Sequence, residues 1–137
     1  MDYYDNAQET ERAAVVLLDT GIYRQSVYMA CLAIELYLKS KLYLVKYREG
    51  LEVSHDIVNL YRALITRFQP KVDMGSMVLR CRKYFHESRY PYSSDVSIYD
   101  EGFAKEFIAF VALIKDYVDN ECIATMDDLK SKYLRDE

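Results

Sequence analysis

Glycine and proline are scarce in this 137-residue sequence, which contains four glycines and two prolines. Folds built from many short strands draw on these two residues for their turns, so their scarcity favours a few long helices. The sequence also lacks a hydrophobic run near the roughly 18 residues of a membrane span. It begins with an acidic segment and not with the basic start and apolar stretch of a signal peptide. We therefore expect a cytoplasmic protein without a membrane-spanning segment.

Common motifs of metal and nucleotide sites are missing as well. The three cysteines, Cys31, Cys81 and Cys122, are far apart and form no C-x-x-C pair, so we predict free and mostly buried thiols. The sequence has no D-x-D pair, no H-E-x-x-H, no P-loop and no G-x-G-x-x-G. We predict no metal site and no cofactor. The net charge of −4 also implies that any nucleic-acid contact comes from a local basic patch.

The length and the 51% share of hydrophobic residues indicate one globular domain over residues 1–137, with a core of about 5–120. Apolar residues recur at helical spacing in several segments. The predicted helices span about 6–20, 23–47, 54–69, 74–88 and 101–120, and a loop covers 89–99. A short C-terminal helix is predicted over about 126–134.

Residues that favour helix ends support these boundaries. We expect Asn6 to cap the first helix and Gly21 to follow its end in the left-handed conformation. Ser54 is the expected cap of the third helix, where Asp56 would be favourable near the helix N-terminus. Asp100 is the expected cap of the fifth helix.

The second predicted helix is apolar nearly all round, so it should be the central helix. Together these elements predict an all-α fold, an antiparallel up-and-down bundle of four to five helices plus the short C-terminal helix. Any apolar stripe left exposed would be covered by a second subunit, which predicts a homodimer.

Four pieces of sequence then resemble the HEPN family, in the order in which that family has them. They are residues 21–30, residues 33–39, residues 55–60, and Tyr84 followed by residues 89–91 and Tyr99. The resemblance implies a helical bundle that is usually dimeric. It also implies a partner, since such proteins are often encoded beside a minimal nucleotidyltransferase. Some pairs act as toxin and antitoxin, with a metal-independent ribonuclease, while other family members are thought to bind nucleotides without cleaving RNA.

The resemblance implies a candidate catalytic pair, because ribonucleases of the family use an arginine and a histidine four to six residues apart. Arg80 and His86 are separated by five residues here. A histidine can act as base or acid near neutral pH, and an arginine can stabilise charge on a phosphate. The polar residue that usually follows the arginine is replaced by Cys81, and the tyrosine found after the histidine in some toxins is missing at Ser88.

Helical spacing favours a different set. Arg82, His86 and Arg89 are four and three residues apart and share one helix face, whereas Arg80 lies well round the helix from His86. With Lys83 and Tyr90 nearby, this face is a candidate site for nucleotides or single-stranded RNA. A plain solvated basic face is the alternative.

Glu35 and Lys39 are four residues apart inside the apolar second helix, in the order that favours an ion pair. A carboxylate in this position needs a partner, so we predict a structural ion pair. A capping or interhelical hydrogen-bonding role is predicted for His55. Three functions remain open: a nucleotide- or RNA-binding partner of a nucleotidyltransferase, a metal-independent endoribonuclease toxin, and a structural dimer without activity.

Overall fold

The computed structural model describes residues 2–45, 54–90, 96–123 and 125–127. These residues form five α-helices and no strand, and the helices are α1 (Tyr3–Asp19), α2 (Tyr23–Val45), α3 (Ile57–Ile65), α4 (Gly75–Arg89) and α5 (Glu101–Asp116). A 3-10 turn, Val96–Ile98, precedes α5, and a π-helical turn, Tyr117–Glu121, continues it. The predicted all-α helical bundle is confirmed.

The start of α1 differs from the prediction. Asp2, not Asn6, is the cap, and its side chain accepts a hydrogen bond of 2.8 Å from the Asp5 amide. The helix consequently begins three residues earlier than predicted, because a carboxylate that holds a free first-turn amide is sufficient to start it. At the other end of α1, Gly21 has the predicted left-handed backbone, with φ of 79°.

The cap of α3 also differs. Asp56 accepts a hydrogen bond of 2.9 Å from the Val58 amide and is the N-cap. The Ser54 hydroxyl instead accepts from the Asp56 amide at 3.2 Å, so it stabilises the turn before the helix. The predicted cap of α5 is confirmed, since Asp100 accepts from the Phe103 amide at 2.8 Å.

Helix α2 is the central element, as predicted, and it packs against each of the other four helices. Its fully buried apolar residues are Val27, Ala30, Cys31, Ala33, Ile34, Tyr37, Leu38 and Leu42. The predicted free, buried state of the three cysteines is also confirmed. A helix that is apolar on nearly every side is stable in water only when other helices enclose it.

Pairs of contacts define the helix directions. Ser26 near the start of α2 donates to the carbonyl of Ala14 near the end of α1, so these helices are antiparallel. Tyr28 of α2 contacts Phe85 near the end of α4, which makes that pair antiparallel too. Helix α3, by contrast, follows the direction of α2. His55 before its start contacts Glu35, and Arg67 beyond its end donates to the carbonyl of Val45 at the end of α2.

Two predicted features extend beyond the described residues. The second helix was expected to reach residue 47 and is described as far as Val45. Met126 and Asp127 are helical, as the predicted C-terminal helix requires, and its remainder lies outside the described residues. None of the described helices combines the length and apolarity that a membrane crossing requires. The homodimer stays a prediction.

Candidate functional site

Helix α4 has two polar flanks, one on each side of its buried stripe. The stripe consists of Val78, Cys81, Phe85 and Ser88, and it faces the core. One flank carries Arg80 and Tyr84, which reach helix α5. The other flank carries Arg82, His86 and Arg89. The candidate residues on α4 are therefore divided between two surfaces.

Arg80 is bound to helix α5. Its guanidinium forms an ion pair of 2.5 Å with Glu106. The same group lies 5.7, 5.4 and 5.5 Å from the ring centres of Phe103, Phe107 and Phe110. Cation–π contacts and an ion pair together hold the arginine on this side of α4.

Arg80 and His86 do not converge within one chain. Six positions on an α-helix correspond to about 120° between the two side chains. The Arg80 guanidinium is occupied by Glu106, while the exposed His86 ring lies 5.0 Å from the ring of Tyr90. Joint action of Arg80 and His86 on one phosphate would therefore require a second chain or a rearrangement of Arg80.

The opposite flank of α4 is exposed, and its cations have fewer carboxylate partners. The Arg89 guanidinium lies 5.4 Å from the ring centre of Tyr28 and 5.3 Å from that of Phe85. Within the described part of the chain, neither Arg89 nor His86 forms an ion pair. Cation–π contacts with both rings hold the Arg89 guanidinium on this flank, where no carboxylate of the described residues competes for its N–H groups.

Arg82 completes this surface. Arg82 lies 3.7 Å from a carboxylate oxygen of Asp56, a long ion pair, and its side chain is 51% exposed. The exposed Lys83 ammonium, by contrast, is 5.2 Å from the ring centre of Tyr84 on the other flank, so Lys83 lies between the two flanks. We call Arg82, His86, Arg89 and Tyr90 the α4 basic surface.

Arg24 on α2 is a further residue of this region that sequence reasoning missed. Its guanidinium donates to the carbonyl of Ser88 in the last turn of α4. The positive charge of Arg24 offsets the negative partial charge at the C-terminal end of α4. This reduces the repulsion between that helix end and a bound anion. Arg24 is 64 residues from Ser88 in the chain, so no local spacing links the two. The only available signal was its place in the first piece of the family resemblance.

Glu35, Lys39 and His55 form a second polar cluster. The predicted ion pair is present, with 2.9 Å between Lys39 Nζ and Glu35 Oε2, and both side chains are buried. His55 Nδ1 lies 3.1 Å from the same oxygen, so His55 makes the expected interhelical contact while its side chain is 81% exposed. Glu35 Oε1 is buried and has no hydrogen-bond partner among the described residues.

A surface groove lies elsewhere on the molecule. It is formed where the start of α1 meets the end of α2, and Tyr3, Tyr4, Lys41 and Tyr43 are among its lining residues. None of the candidate residues on α4 lines it. Across the described ranges, no three His, Cys, Asp or Glu side chains lie close enough together to hold a metal ion.

The helical architecture and the basic, aromatic face of α4 define the class of this protein, a helical-bundle domain. Comparison with known families identifies the family within that class. A family model described as "HEPN domain" matches residues 1–121. The chain belongs to the HEPN family, as the four sequence pieces indicated. This membership indicates a function related to nucleotides or RNA, and the α4 basic surface lies inside the matched region. No curated protein and no solved structure gives a match.

Proposed function

We propose that this protein binds nucleotides or single-stranded RNA on the α4 basic surface and acts as the HEPN partner of a minimal nucleotidyltransferase. The observation that carries the proposal is the alignment of Arg82, His86 and Arg89 on one exposed helix face. Arg89 and His86 have no acidic partner in the described ranges.

The spacing of these side chains suits a phosphate chain. Arg82, His86 and Arg89 are about 6 Å and about 4.5 Å apart along the helix axis. More than one phosphate of a strand can therefore be contacted at once. Arginine offers a planar fork for phosphate oxygens, and the contact of Arg89 with Tyr28 reduces the side-chain freedom that is lost on binding.

Aromatic groups beside the cations favour a nucleotide over a simple anion. The Tyr90 ring is about half exposed and lies next to His86 at the end of α4. Nucleobases stack on such rings with little dependence on sequence. The net charge of −4 is consistent with this proposal, because the cations needed for binding are concentrated on one surface.

The test is the affinity of the purified protein for a labelled single-stranded RNA, measured by fluorescence anisotropy at several salt concentrations. Arg89→Gln should weaken binding about tenfold, as expected for the loss of a charge-assisted hydrogen bond. It should also reduce the slope of log affinity against log salt by about 0.7.

Arg12→Gln is the matched control, because Arg12 is an exposed arginine on α1, away from the α4 basic surface. It should leave affinity within about twofold of the wild type, a difference well below the 1.4 kcal/mol of a tenfold change. Equal affinities of Arg89→Gln and Arg12→Gln, or binding that does not depend on salt, would contradict the proposal.

A second candidate function is a metal-independent endoribonuclease that uses Arg80 and His86. The spacing of this pair in a member of the HEPN family supports it. The ion pair between Arg80 and Glu106 argues against it for a single chain. Arg80→Ala and His86→Ala should each abolish cleavage, and full activity in either variant would refute this candidate.

The proposed partners have separate tests. The mass in solution, measured by light scattering, should be that of a homodimer. Co-expression with a minimal nucleotidyltransferase encoded beside this chain should yield a stable complex and relieve any growth arrest that the chain causes alone. A monomer that forms no such complex would leave only the nucleotide- or RNA-binding part of the proposal.

A further inference from the structure

We propose that the groove between the start of α1 and the end of α2 binds a small aromatic carboxylate, with the charge of the ligand on Lys41 and its ring against tyrosine side chains. The site is separate from the α4 basic surface, because no residue of that surface lines the groove. The inference therefore adds a ligand site to the proposed function and does not depend on RNA binding.

The groove has the size of a small-molecule site. Its volume is about 600 Å³, which is within the range of roughly 300–1,000 Å³ that such sites occupy. Its lining comes from two stretches that are far apart in the sequence, and these are Asp2, Tyr3, Tyr4 and Asn6, and Ser40, Lys41, Tyr43 and Leu44. A planar ring with one polar group is small enough to enter this volume and to contact both stretches.

Tyrosine rings from both helices form the walls of the groove. The ring centres of Tyr3 and Tyr43 are 6.2 Å apart, and the two rings lie at 71° to each other. The Tyr4 ring makes an edge contact with Tyr37 at 5.4 Å, and its hydroxyl donates to Asp119. These contacts hold the rings in place without a ligand, which reduces the freedom that is lost on binding. Aromatic rings pack edge-to-face or offset on one another, so the walls favour an aromatic ligand over an aliphatic one.

Lys41 supplies the positive charge of the groove. It is partly buried, and within the described part of the chain it forms no ion pair. The ammonium groups of Lys39, Lys105 and Lys115, by contrast, each lie 2.9 Å from a carboxylate four positions away. Because opposite charges attract more strongly in a partly buried site than in bulk water, Lys41 would stabilise an anion in the groove.

The balance of charge favours a carboxylate over a phosphate. Among the described lining residues, Lys41 carries a positive charge and Asp2 a negative one. The Asp2 carboxylate is fixed at the start of α1, since it accepts the Asp5 amide at 2.8 Å. A phosphate monoester would bring about two negative charges beside this carboxylate, whereas a monocarboxylate brings the single charge that Lys41 neutralises. Asn6 adds an amide donor to the lining, which a carboxylate oxygen can accept.

The test is a titration of the full, ¹⁵N-labelled chain with benzoate, followed by NMR. We expect a dissociation constant of about 1 mM and amide shifts at the residues that line the groove. Benzamide keeps the ring without the charge, and it should bind about tenfold more weakly. Cyclohexanecarboxylate keeps the charge without the aromatic ring. It should bind about threefold more weakly, as expected for the loss of an aromatic contact.

Variants assign these two contributions to residues. Lys41→Gln should weaken benzoate binding about tenfold and leave benzamide binding within about twofold, because only the charged ligand uses the ammonium group. Lys83→Gln is the matched control. Lys83 also lacks a carboxylate partner among the described residues, and it does not line the groove. Tyr43→Leu should weaken the binding of benzoate more than that of cyclohexanecarboxylate, since it removes an aromatic wall.

The outcomes also separate this site from the α4 basic surface. Arg89→Gln should leave benzoate affinity unchanged, and Lys41→Gln should leave RNA affinity unchanged. Absence of benzoate binding at about 10 mM would overturn the inference, and so would equal benzoate affinities of Lys41→Gln and Lys83→Gln. Equal affinities of benzoate and benzamide for the wild type would overturn it as well, and this comparison does not depend on the folding of any variant.

Discussion

Removal of the buried Lys39 charge offers a direct test of how the central helix is stabilised. Lys39→Met keeps an unbranched side chain that is one atom shorter, and it leaves Glu35 with the exposed His55 as its remaining partner in contact. Breaking a buried ion pair from one side typically costs 3–5 kcal/mol. Because His55 still contacts the carboxylate, we expect a cost near the lower limit, about 3 kcal/mol. This is a large share of a typical domain stability of about 5–15 kcal/mol.

The chain provides a matched control in α5. Lys105 and Glu101 have the same spacing in the chain and the same 2.9 Å separation, but their side chains are 62% and 59% exposed. Lys105→Met should therefore change stability very little. Both variants should be unfolded with urea, and the midpoint should shift without a change in the slope m. A double variant, Glu35→Met with Lys39→Met, should recover most of the loss, since a buried ion pair is often replaceable by apolar side chains. Equal midpoints for the two single variants would refute the reasoning.

Three further predictions concern other contacts. Tyr117→Phe removes a hydroxyl that donates to the carbonyl of Phe68 at 2.5 Å, and calorimetry should show a loss of about 1–3 kcal/mol. Burial raises the pKa of Cys122 from 9.0 to about 11, so its contribution to stability is present below pH 9 and is lost as pH rises through 11. Urea midpoints that do not fall over this alkaline range would contradict it. Arg80→Met should lower the free energy of unfolding without changing RNA affinity. Arg89→Gln should lower RNA affinity without changing the free energy of unfolding. The same response in both variants would contradict the division of α4 into two flanks.

The helices were predictable because the apolar residues of a helix recur at the positions that face the core, and this period of about 3.6 residues can be read in the sequence. The apolar positions of α2 recur on all sides, and this pattern by itself predicts its central place. The starts of α1 and α3 were less predictable. Asp2 and Asn6 can both cap a helix, and so can Ser54 and Asp56, and the outcome depends on which side chain reaches a free amide.

The candidate site was predictable only in part. The rotation per residue of an α-helix was sufficient to separate Arg80 from the face of Arg82 and His86. The partners of these residues were not predictable from local spacing. Glu106 is 26 positions after Arg80, and Arg24 reaches α4 from another helix, so both contacts depend on how the helices pack.

The spacing of Arg80 and His86 in the sequence does not determine whether the two side chains meet in space. Five residues between Arg80 and His86 satisfy the family spacing, yet the structure directs Arg80 to the rings of α5 and leaves His86 on the opposite flank. His55 contacts Glu35 on α2, and Asp56, the next residue, contacts Arg82 on α4, so both contacts are formed between elements. Since a reaction at phosphorus requires its acid, base and cation around one phosphate, convergence in space is the stronger criterion. On that criterion Arg82, His86 and Arg89, which share one exposed face of α4, are better placed than Arg80 to contact one bound phosphate chain within a single protein chain.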